Sequence, residues 1–401
     1  MRIALIGPAH PYKGGGALHT TELAHRLAAA GHDVVIESWR ELYPSFLYPG
    51  VQTVEVPDAE PFPRTRRELS WRRPDGWIRA GRRLHESCDV AVFTYLAPVQ
   101  VPAYLGVIRG LRRRGARPGP RVAVTCHNVL PHERRPGDVT LTRALLRRSD
   151  GVLTHTERLA RMARGLAPGT PVVVAELPPH LPMAPGRANP GVARPGRFNA
   201  GTGPVGRPNP GAAPPADAGP TETVDRHLLF FGIVRPYKGL DVLLRAMAQA
   251  PDRLTLTVAG EFWGGTDAAR ALIAELGLDG RVELRPGYVP AHGIAALLDG
   301  SDALVLPYRS ATASQNAWLA FSHGVPVIAT RTGTFAEQVT DGVDGLLCEP
   351  GDPGSLALAL TRFCAPGEAE RLRTGVRPVD SRPLWDSYLK ALLSLGSPGP
   401  S

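Results

Sequence analysis

The chain has 401 residues, 43% of them apolar and 21% charged, which is more than a single hydrophobic core serves, so two domains are expected and a small stapled scaffold is excluded. Lys and Arg number 46 against 37 Asp and Glu, a formal charge of +9; this favours anionic partners such as sugar nucleotides, phospholipid headgroups or nucleic acid without choosing among them. All of those cations except Lys13, Lys238 and Lys390 are Arg, so the bias follows coding composition as much as binding.

The run 2–7 is apolar and of strand length, and the loop 8–16 leads into a helical pattern over 17–30 with Leu18, Leu23, Leu27 and Ala30 on its stripe. Gly31 ends the helix and 33–38 is the next strand, which completes a βαβ unit. The region 40–83 is the least legible. Between Arg64 and Arg83 it carries eight arginines with Trp71 and Trp77 among them, a run that fits either a solvated loop-helix face or peripheral contact with an anionic membrane. Strands at 90–95, 121–126, 152–154 and 171–175 follow, alternating with helices, so the sheet is expected to be parallel. The run Arg112, Arg113, Arg114 is too short to argue for nucleic-acid binding.

From 178 to 223 the pattern lapses. The stretch 182–220 is dense in Pro, Gly and Ala and cannot bury enough surface to offset chain entropy, so 180–223 is expected to be a disordered insert or linker. Order resumes with a strand over 228–234, a helix from Leu240, a strand at 254–259, a helix near 266–276, and strands at 282–284, 303–306 and 325–329. The expected organisation is therefore an N-terminal domain over 1–179, a second over 224–380, and a terminal helix within 381–401. In that helix Leu384, Trp385, Tyr388, Leu389, Leu392 and Leu393 recur at helical spacing.

Cys88, Cys126, Cys348 and Cys364 show no metal-ligand spacing and lie in or beside apolar stretches, which suits reduced core thiols. No run approaches the roughly 18 apolar residues of a membrane span, and the opening apolar run is too short for a signal peptide. A cytoplasmic protein is expected, with peripheral contact at the inner membrane surface as the alternative placement. The tetrapeptide Pro-Tyr-Lys-Gly occurs at 11–14 and again at 236–239, each time between the first strand and first helix of its half. Two of the three lysines thus fall where a loop and a helix N-terminus make an anion site.

The stretch 230–244, FFGIVRPYKGLDVLL, resembles the phosphate-binding turn of the family 4 glycosyltransferases of the GT-B fold. The resemblance spans nearly all of the chain outside the insert. It implies an α/β architecture of two Rossmann-like domains facing each other across a cleft, with an acceptor-binding N-terminal domain and a nucleotide-sugar-binding C-terminal domain. Arg235 and Lys238 take the places of the cations that neutralise the donor diphosphate, with Gly239 beside them. The loop Gly14, Gly15, Gly16 is similar to the family's glycine loop near the donor phosphates and sugar. The segment Thr125, Cys126, His127, Asn128 resembles its T-x-H stretch, which makes His127 the residue beside the transferred sugar; His132 and Glu133 on the same loop are further candidates. Val258–Trp263 reads as the turn over the nucleotide, where Gly260 allows close approach and Glu261 accepts from a hydroxyl. The loop 285–290 is similar to the one that packs on the base, through the backbone of Tyr288 or Val289. The resemblance also implies that the terminal helix crosses back onto the N-terminal domain, whereas the sequence alone equally allows it to stay on its own domain.

One departure stands out. Aligning His323, Gly324, Val325, Pro326, Val327 with the family's small-Gly-x-Pro-Val puts Ala311 and Leu319 where two glutamates normally stand. The segment 308–316 looks like a variant branch in which Ser314, Gln315 and Asn316 hold phosphate, with helix-dipole help.

The resemblance thus implies a metal-independent transferase moving a hexosyl group, with retention, from a UDP- or GDP-linked sugar to a glycan, lipid or small-molecule hydroxyl. No cofactor is expected beyond the donor as substrate, and no metal or nucleic-acid partner. The alternatives are a catalytically silent nucleotide-sugar-binding partner, or a sugar-nucleotide epimerase or phosphorylase on the same fold. Loss of both motif glutamates weighs against the epimerase.

Overall fold

A computed structural model describes residues 1–44, 48, 51–112, 119–181 and 225–396. The expected insert lies outside the described residues from 182 to 224, as do Arg113 and Arg114 of the short basic run. The chain forms two compact units: Met1–Pro182 with Thr312–Gln315 and Asp380–Ser401, and Met183–Ala311 with Asn316–Val379.

In the first unit the order is β1 (Arg2–Ile6), α1 (Gly15–Ala29), β2 (Asp33–Glu41), β3 (Thr65–Ser70), α2 (Pro74–Ser87), β4 (Val90–Tyr95), α3 (Val101–Leu111), β5 (Arg121–Cys126), α4 (Asp138–Leu146), β6 (Gly151–Thr154), α5 (Glu157–Leu166) and β7 (Val172–Val174). The strands make one sheet in the order β3-β2-β1-β4-β5-β6-β7, parallel throughout. Such a sheet is covered by helices on both faces, so β4 is buried along its whole length.

The second unit contains β8 (Arg226–Phe231), α6 (Leu240–Met247), β9 (Leu254–Gly260), α7 (Asp267–Glu275), β10 (Val282–Pro286), α8 (Ala291–Asp299), β11 (Ala303–Leu306), α9 (Asn316–Ser322), β12 (Val327–Thr330), α10 (Phe335–Gln338), β13 (Gly345–Cys348), α11 (Pro353–Phe363) and α12 (Glu368–Gly375). Its six strands repeat the first unit's wiring, β10-β9-β8-β11-β12-β13, so each sheet has a topological switch point where the order reverses, between β1 and β4 and between β8 and β11. Last comes α13 (Ser381–Ser394). It belongs to the first unit, where Trp385, Tyr388 and Leu392 join Leu23, Leu27, Leu5 and Val92 in one apolar cluster. Asp380 caps it by accepting from Arg382 N.

The structure differs from the sequence reading in several places. The region 40–83 contains both β3, an added edge strand paired to β2 across an irregular register, and α2. The strand expected over 228–234 stops at Phe231, because Gly232 turns the chain with φ 112°. The strand expected over 325–329 is Val327–Thr330, displaced by Pro326, whose missing N–H cannot join the ladder. Gly15 and Gly16 form the first turn of α1 rather than the preceding loop, with Gly14 as the N-cap. Cys88, Cys126 and Cys348 are buried free thiols and Cys364 is half-buried and free.

Candidate functional site

In the second unit the loops after β8, β9 and β11 press on one another at the switch point. A Cβ on Gly260 would lie 2.0 Å from the Gly232 carbonyl oxygen, and one on Gly239 2.1 Å from that of Pro307. Both residues have positive φ, 146° and 70°, so conformation and space each demand glycine. Through this crossing the chain runs from β8 to a 3-10 turn, Pro236–Lys238, and on into α6.

The turn delivers Lys238. Its side chain is buried with Nζ 5.3 Å from the centre of the Tyr308 ring, and so close to the Gly232 backbone that a Cβ there would meet Nζ at 2.8 Å. Asn316 Nδ2 closes the cradle by donating to the Phe231 carbonyl (3.2 Å) and the Tyr308 hydroxyl (3.4 Å). Burial holds the Lys238 ammonium below its usual pKa; Tyr237 opposes this and the Arg235 charge adds to it. Among the described residues no carboxylate pairs with Lys238. The Arg235 guanidinium lies 4.5 Å over the Trp263 ring. Arg309, by contrast, is neutralised by both oxygens of Asp241, at 2.6 Å each. The result is a buried cation beside bare backbone, a setting that stabilises an anion far better than bulk water does.

Of the other residues expected in the second domain, Gly260 shapes the crossing, and Glu261 follows it at the end of β9. Tyr288, beyond β10, is exposed. Ala311 and Leu319 are both buried, so the places of the two family glutamates are apolar. Ser314, Gln315 and Asn316 are divided: Thr312–Gln315 cluster with the first unit and Asn316 with the second. The Gln315 amide is occupied there, accepting from His180 N (3.2 Å) and donating to the Leu177 carbonyl (3.4 Å). The Gln315 amide thus uses two of the four hydrogen bonds such a group can make.

In the first unit His127 follows the last residue of β5, at the end of the sheet where open α/β folds hold ligands. It is half-buried, its N–H bonds the Tyr95 carbonyl, and its Nε2 is enclosed without a partner. His132 and Glu133 lie farther along the same loop. Gly15 is exposed, and a Cβ there would come no nearer than 3.6 Å, to His180 Nε2. Gly16 is tight, 2.5 Å from Leu96 Cδ1 by the same construction. Lys13 lies 5.8 Å over the Tyr48 ring, so both Pro-Tyr-Lys-Gly lysines face a tyrosine.

The sequence reading missed His19, His155 and His180, which gather around His127 together with Trp385 and Tyr388 of α13. A signal was present for His155: it follows β6 by one residue, just as His127 follows β5. The rings meet mostly edge to face, and among the described residues no three His, Cys, Asp or Glu side chains are disposed to hold a metal ion.

The arginine-rich stretch becomes β3 and α2, and most of its charge is used internally. Arg64 pairs with Asp33, Arg73 and Arg79 with Asp75, and Arg83 with Glu37 and Glu68, while Arg67 donates to the His10 carbonyl. Trp77 is half-buried and donates to the Ser70 carbonyl at 2.7 Å. Among the described residues no helix is long and apolar enough to cross a membrane.

Two parallel-sheet α/β units of the same strand order, with a glycine-built cationic cradle at one switch point, define the architecture of GT-B glycosyltransferases. Residues 13–176 match the family model described as Glycosyltransferase Family 4, and residues 225–365 match the one described as Glycosyl transferases group 1; the chain belongs to the family 4-like GT-B glycosyltransferases. Among curated proteins it is 31% identical over 172 residues to the D-inositol 3-phosphate glycosyltransferase of Xylanimonas cellulosilytica, covering 42% of this chain and 41% of that one. It is also 31% identical over 227 residues to the protein of the same name from Streptosporangium roseum, covering 52% and 48%. The chain thus spans less than half the length of these curated relatives. Solved structures of similar fold include sucrose-phosphate synthase from Thermosynechococcus elongatus (TM-score 0.64, 18% identity, covering 99% and 98%). Another is Anabaena Alr3699/HepE with UDP and glucose (TM-score 0.65, 16% identity, covering 98% and 100%).

Proposed function

We propose that this protein transfers a hexosyl group from a UDP- or GDP-linked sugar to an acceptor hydroxyl, with retention at the anomeric carbon. The observation that carries the proposal is Lys238, a buried ammonium with no carboxylate partner among the described residues, lying against the Gly232 backbone beside Arg235. When the bond between the anomeric carbon and the diphosphate oxygen breaks, the electron pair leaves with the nucleoside diphosphate, and its charge rises where Lys238 and Arg235 stand. The acceptor oxygen forms the new bond and its proton passes to the departing diphosphate oxygen, which has gained the electron pair. His127, half-buried just past the end of β5, is assigned to a hydroxyl of the bound sugar or acceptor. Gly239, Gly260, Glu261 and the Tyr288 loop are assigned to the nucleotide, and Gly15 and Gly16 to the first unit's side of the substrates. The name of the curated relatives makes inositol 3-phosphate the first acceptor to try. UDP as leaving group is supported by the UDP complexes solved for proteins of similar fold.

The test is mass-spectrometric detection of free nucleoside diphosphate from UDP-, GDP-, ADP- and dTDP-sugars, with and without inositol phosphates or lipid-linked glycans. Wild type is compared with Lys238→Ala and His127→Ala. One donor cleaved by wild type and by neither variant supports the proposal.

A second reading, a nucleotide-sugar-binding protein without transfer, is favoured by one observation: the two family glutamate positions hold buried Ala311 and Leu319. Lys238-dependent nucleotide binding with no cleavage of any donor under any acceptor condition would establish it. Peripheral contact with an anionic membrane is proposed only through Arg66, Arg72 and Arg82, exposed arginines of this stretch outside those internal pairs, and is tested by sedimentation with phosphatidylglycerol vesicles.

A further inference from the structure

Cys126 and Thr154, the last residues of β5 and β6, are partners in register. The residues that follow them, His127 and His155, therefore leave the sheet side by side. His19, in the first turns of α1, is fully buried and meets the same place from above. The His127 ring stands edge to face against both neighbours, 4.7 Å from His19 at 84° and 4.8 Å from His155 at 62°. Aromatic residues of α13 back the pair: Trp385 stacks on His19 at 6.0 Å, and Tyr388 lies 5.4 Å from His19 and 5.9 Å from His155. Trp385 is itself fixed by donating to the Pro179 carbonyl at 3.1 Å.

These rings touch without using up one another's polar atoms. Both nitrogens of His19, Nε2 of His127 and Nε2 of His155 are buried and bond nothing among the described residues. Unmade bonds at this density mark a site where selection holds geometry above stability, since each enclosed polar atom left without a partner is costly.

We propose that His19 and His155 are positioning residues for His127: they clamp its imidazole between them at the end of β5 with Nε2 enclosed, so that a single ring orientation turns the open edge of the half-buried ring to a substrate hydroxyl. The proposal rests on the reading that His127 touches the substrate. The clamp is made of rings rather than carboxylates, and that decides the chemistry on offer. An imidazole against a carboxylate is drawn toward the cation, which can only donate; a neutral imidazole has one donor and one acceptor nitrogen and can bond a hydroxyl either way. Burial and the imidazoles of His155 and His180 favour its neutral form, while Glu22 draws His180 the other way. His180 lies 5.1 Å from His19 with Nδ1 on the Pro178 carbonyl. Glu22 acts on His180 and is bonded to Arg26, whose guanidinium lies over Trp385. Among the described residues no carboxylate bonds His19, His127 or His155. Burial and the neighbouring imidazoles hold His127 and His19 well below the usual histidine range.

The experiment uses the full chain labelled with 15N-histidine, read by two-bond proton–nitrogen spectra that report tautomer and protonation of each ring. Wild type is compared with His155→Ser and His19→Ser, which remove a ring, and with His155→Phe and His19→Phe, which keep one. In wild type His127 is expected as one neutral tautomer at neutral pH, and still neutral where an ordinary imidazole is protonated. In the Ser variants it mixes tautomers and titrates closer to the ordinary value, while kcat falls about ten- to a hundredfold with donor KM nearly unchanged. The Phe variants restore most of both. A cationic or tautomer-mixed His127 in the wild type at neutral pH overturns the proposal even if the Ser variants fail to fold. So do Phe variants as impaired as the Ser ones, or Ser variants whose His127 spectra match wild type. Full activity in His127→Ala would instead sink the functional reading and leave the spectroscopic result standing.

Discussion

The Lys238 ammonium sits 5.3 Å from the centre of the Tyr308 ring, and Tyr308 Oη in turn accepts from Asn316 Nδ2. A cation so placed is held by a ring face and, among the described residues, by nothing of opposite charge, so binding and stability pull in opposite directions at this residue. Lys238→Met keeps the apolar stem and removes the charge. Nucleoside diphosphate affinity is expected to fall by about 1.5–3 kcal/mol, roughly ten- to a hundredfold or more in Kd, while the melting temperature holds or rises. The folded-state pKa is below the unfolded one, so the wild-type lysine costs stability at neutral pH and that cost fades as pH climbs through the folded value. Calorimetry with UDP and GDP beside thermal melting checks both halves; unchanged affinity rules the cradle out.

The glycines divide into those the backbone needs and those only a ligand needs. Gly260→Ala sets a Cβ 2.0 Å from the Gly232 carbonyl at φ 146°, and a loss of about 3 kcal/mol or more is expected in urea unfolding. Gly15→Ala meets nothing nearer than 3.6 Å at a helical position, and stability is expected to hold or gain up to about 1 kcal/mol. If the glycine turn lies against substrate, transfer activity still falls. A Gly15→Ala protein as active as wild type removes that turn from the site.

Trp385→Ala empties the space between α13 and His19. The expected cost is about 3–5 kcal/mol, confined to the first unit. Hydrogen exchange is the measurement: amides of β1, β4 and β5 should lose protection while those of β8 and β11 keep theirs. Equal loss in both sheets contradicts the assignment of α13 to the first unit's core.

Acid should undo the histidine cluster. Burial places His155 and His180 near about 4 in the folded protein and pushes His19 and His127 well down, against about 6.5 in an unfolded chain. Between those values the unfolded chain binds protons that the folded one refuses. This stability is complete above about pH 6.5 and drains away as pH falls toward about 4, with each unit of pKa difference worth about 1.4 kcal/mol. Urea midpoints measured from about pH 7.5 to 4.5 should drop steeply, less so in His155→Phe. A flat profile refutes the burial of these rings.

The two alternating halves were legible in the sequence because most strands are short apolar runs, and some of them, such as β1, β8 and β11, are closed by Gly or Pro. β3 was not, for Thr65–Ser70 reads TRRELS, with no apolar alternation to mark an edge strand whose Arg67 donates to the His10 carbonyl. Lys238 and Gly260 could be singled out because a loop lysine and a strand-end glycine are local signals. His19 could not: on a helix its spacing is that of a core residue, and its relation to His127 and His155 exists only once three distant segments meet. For Gln315 the sequence neighbours suggest a ligand loop, whereas its bonds to Leu177 and His180 join segments far apart in the chain and leave no local signal.

The placement of α13 has a consequence for biosynthesis. The sheet face that Trp385, Tyr388 and Leu392 cover is laid down with β1 and α1, yet its cover is translated only after the whole second unit. On the ribosome the first unit therefore waits with Leu23, Leu27 and the His19 ring uncovered while more than half of the sequence is still to come. A nascent chain in that condition is a natural client for chaperones, and substitutions in α13 should reduce soluble yield more sharply than they reduce the stability of protein already folded.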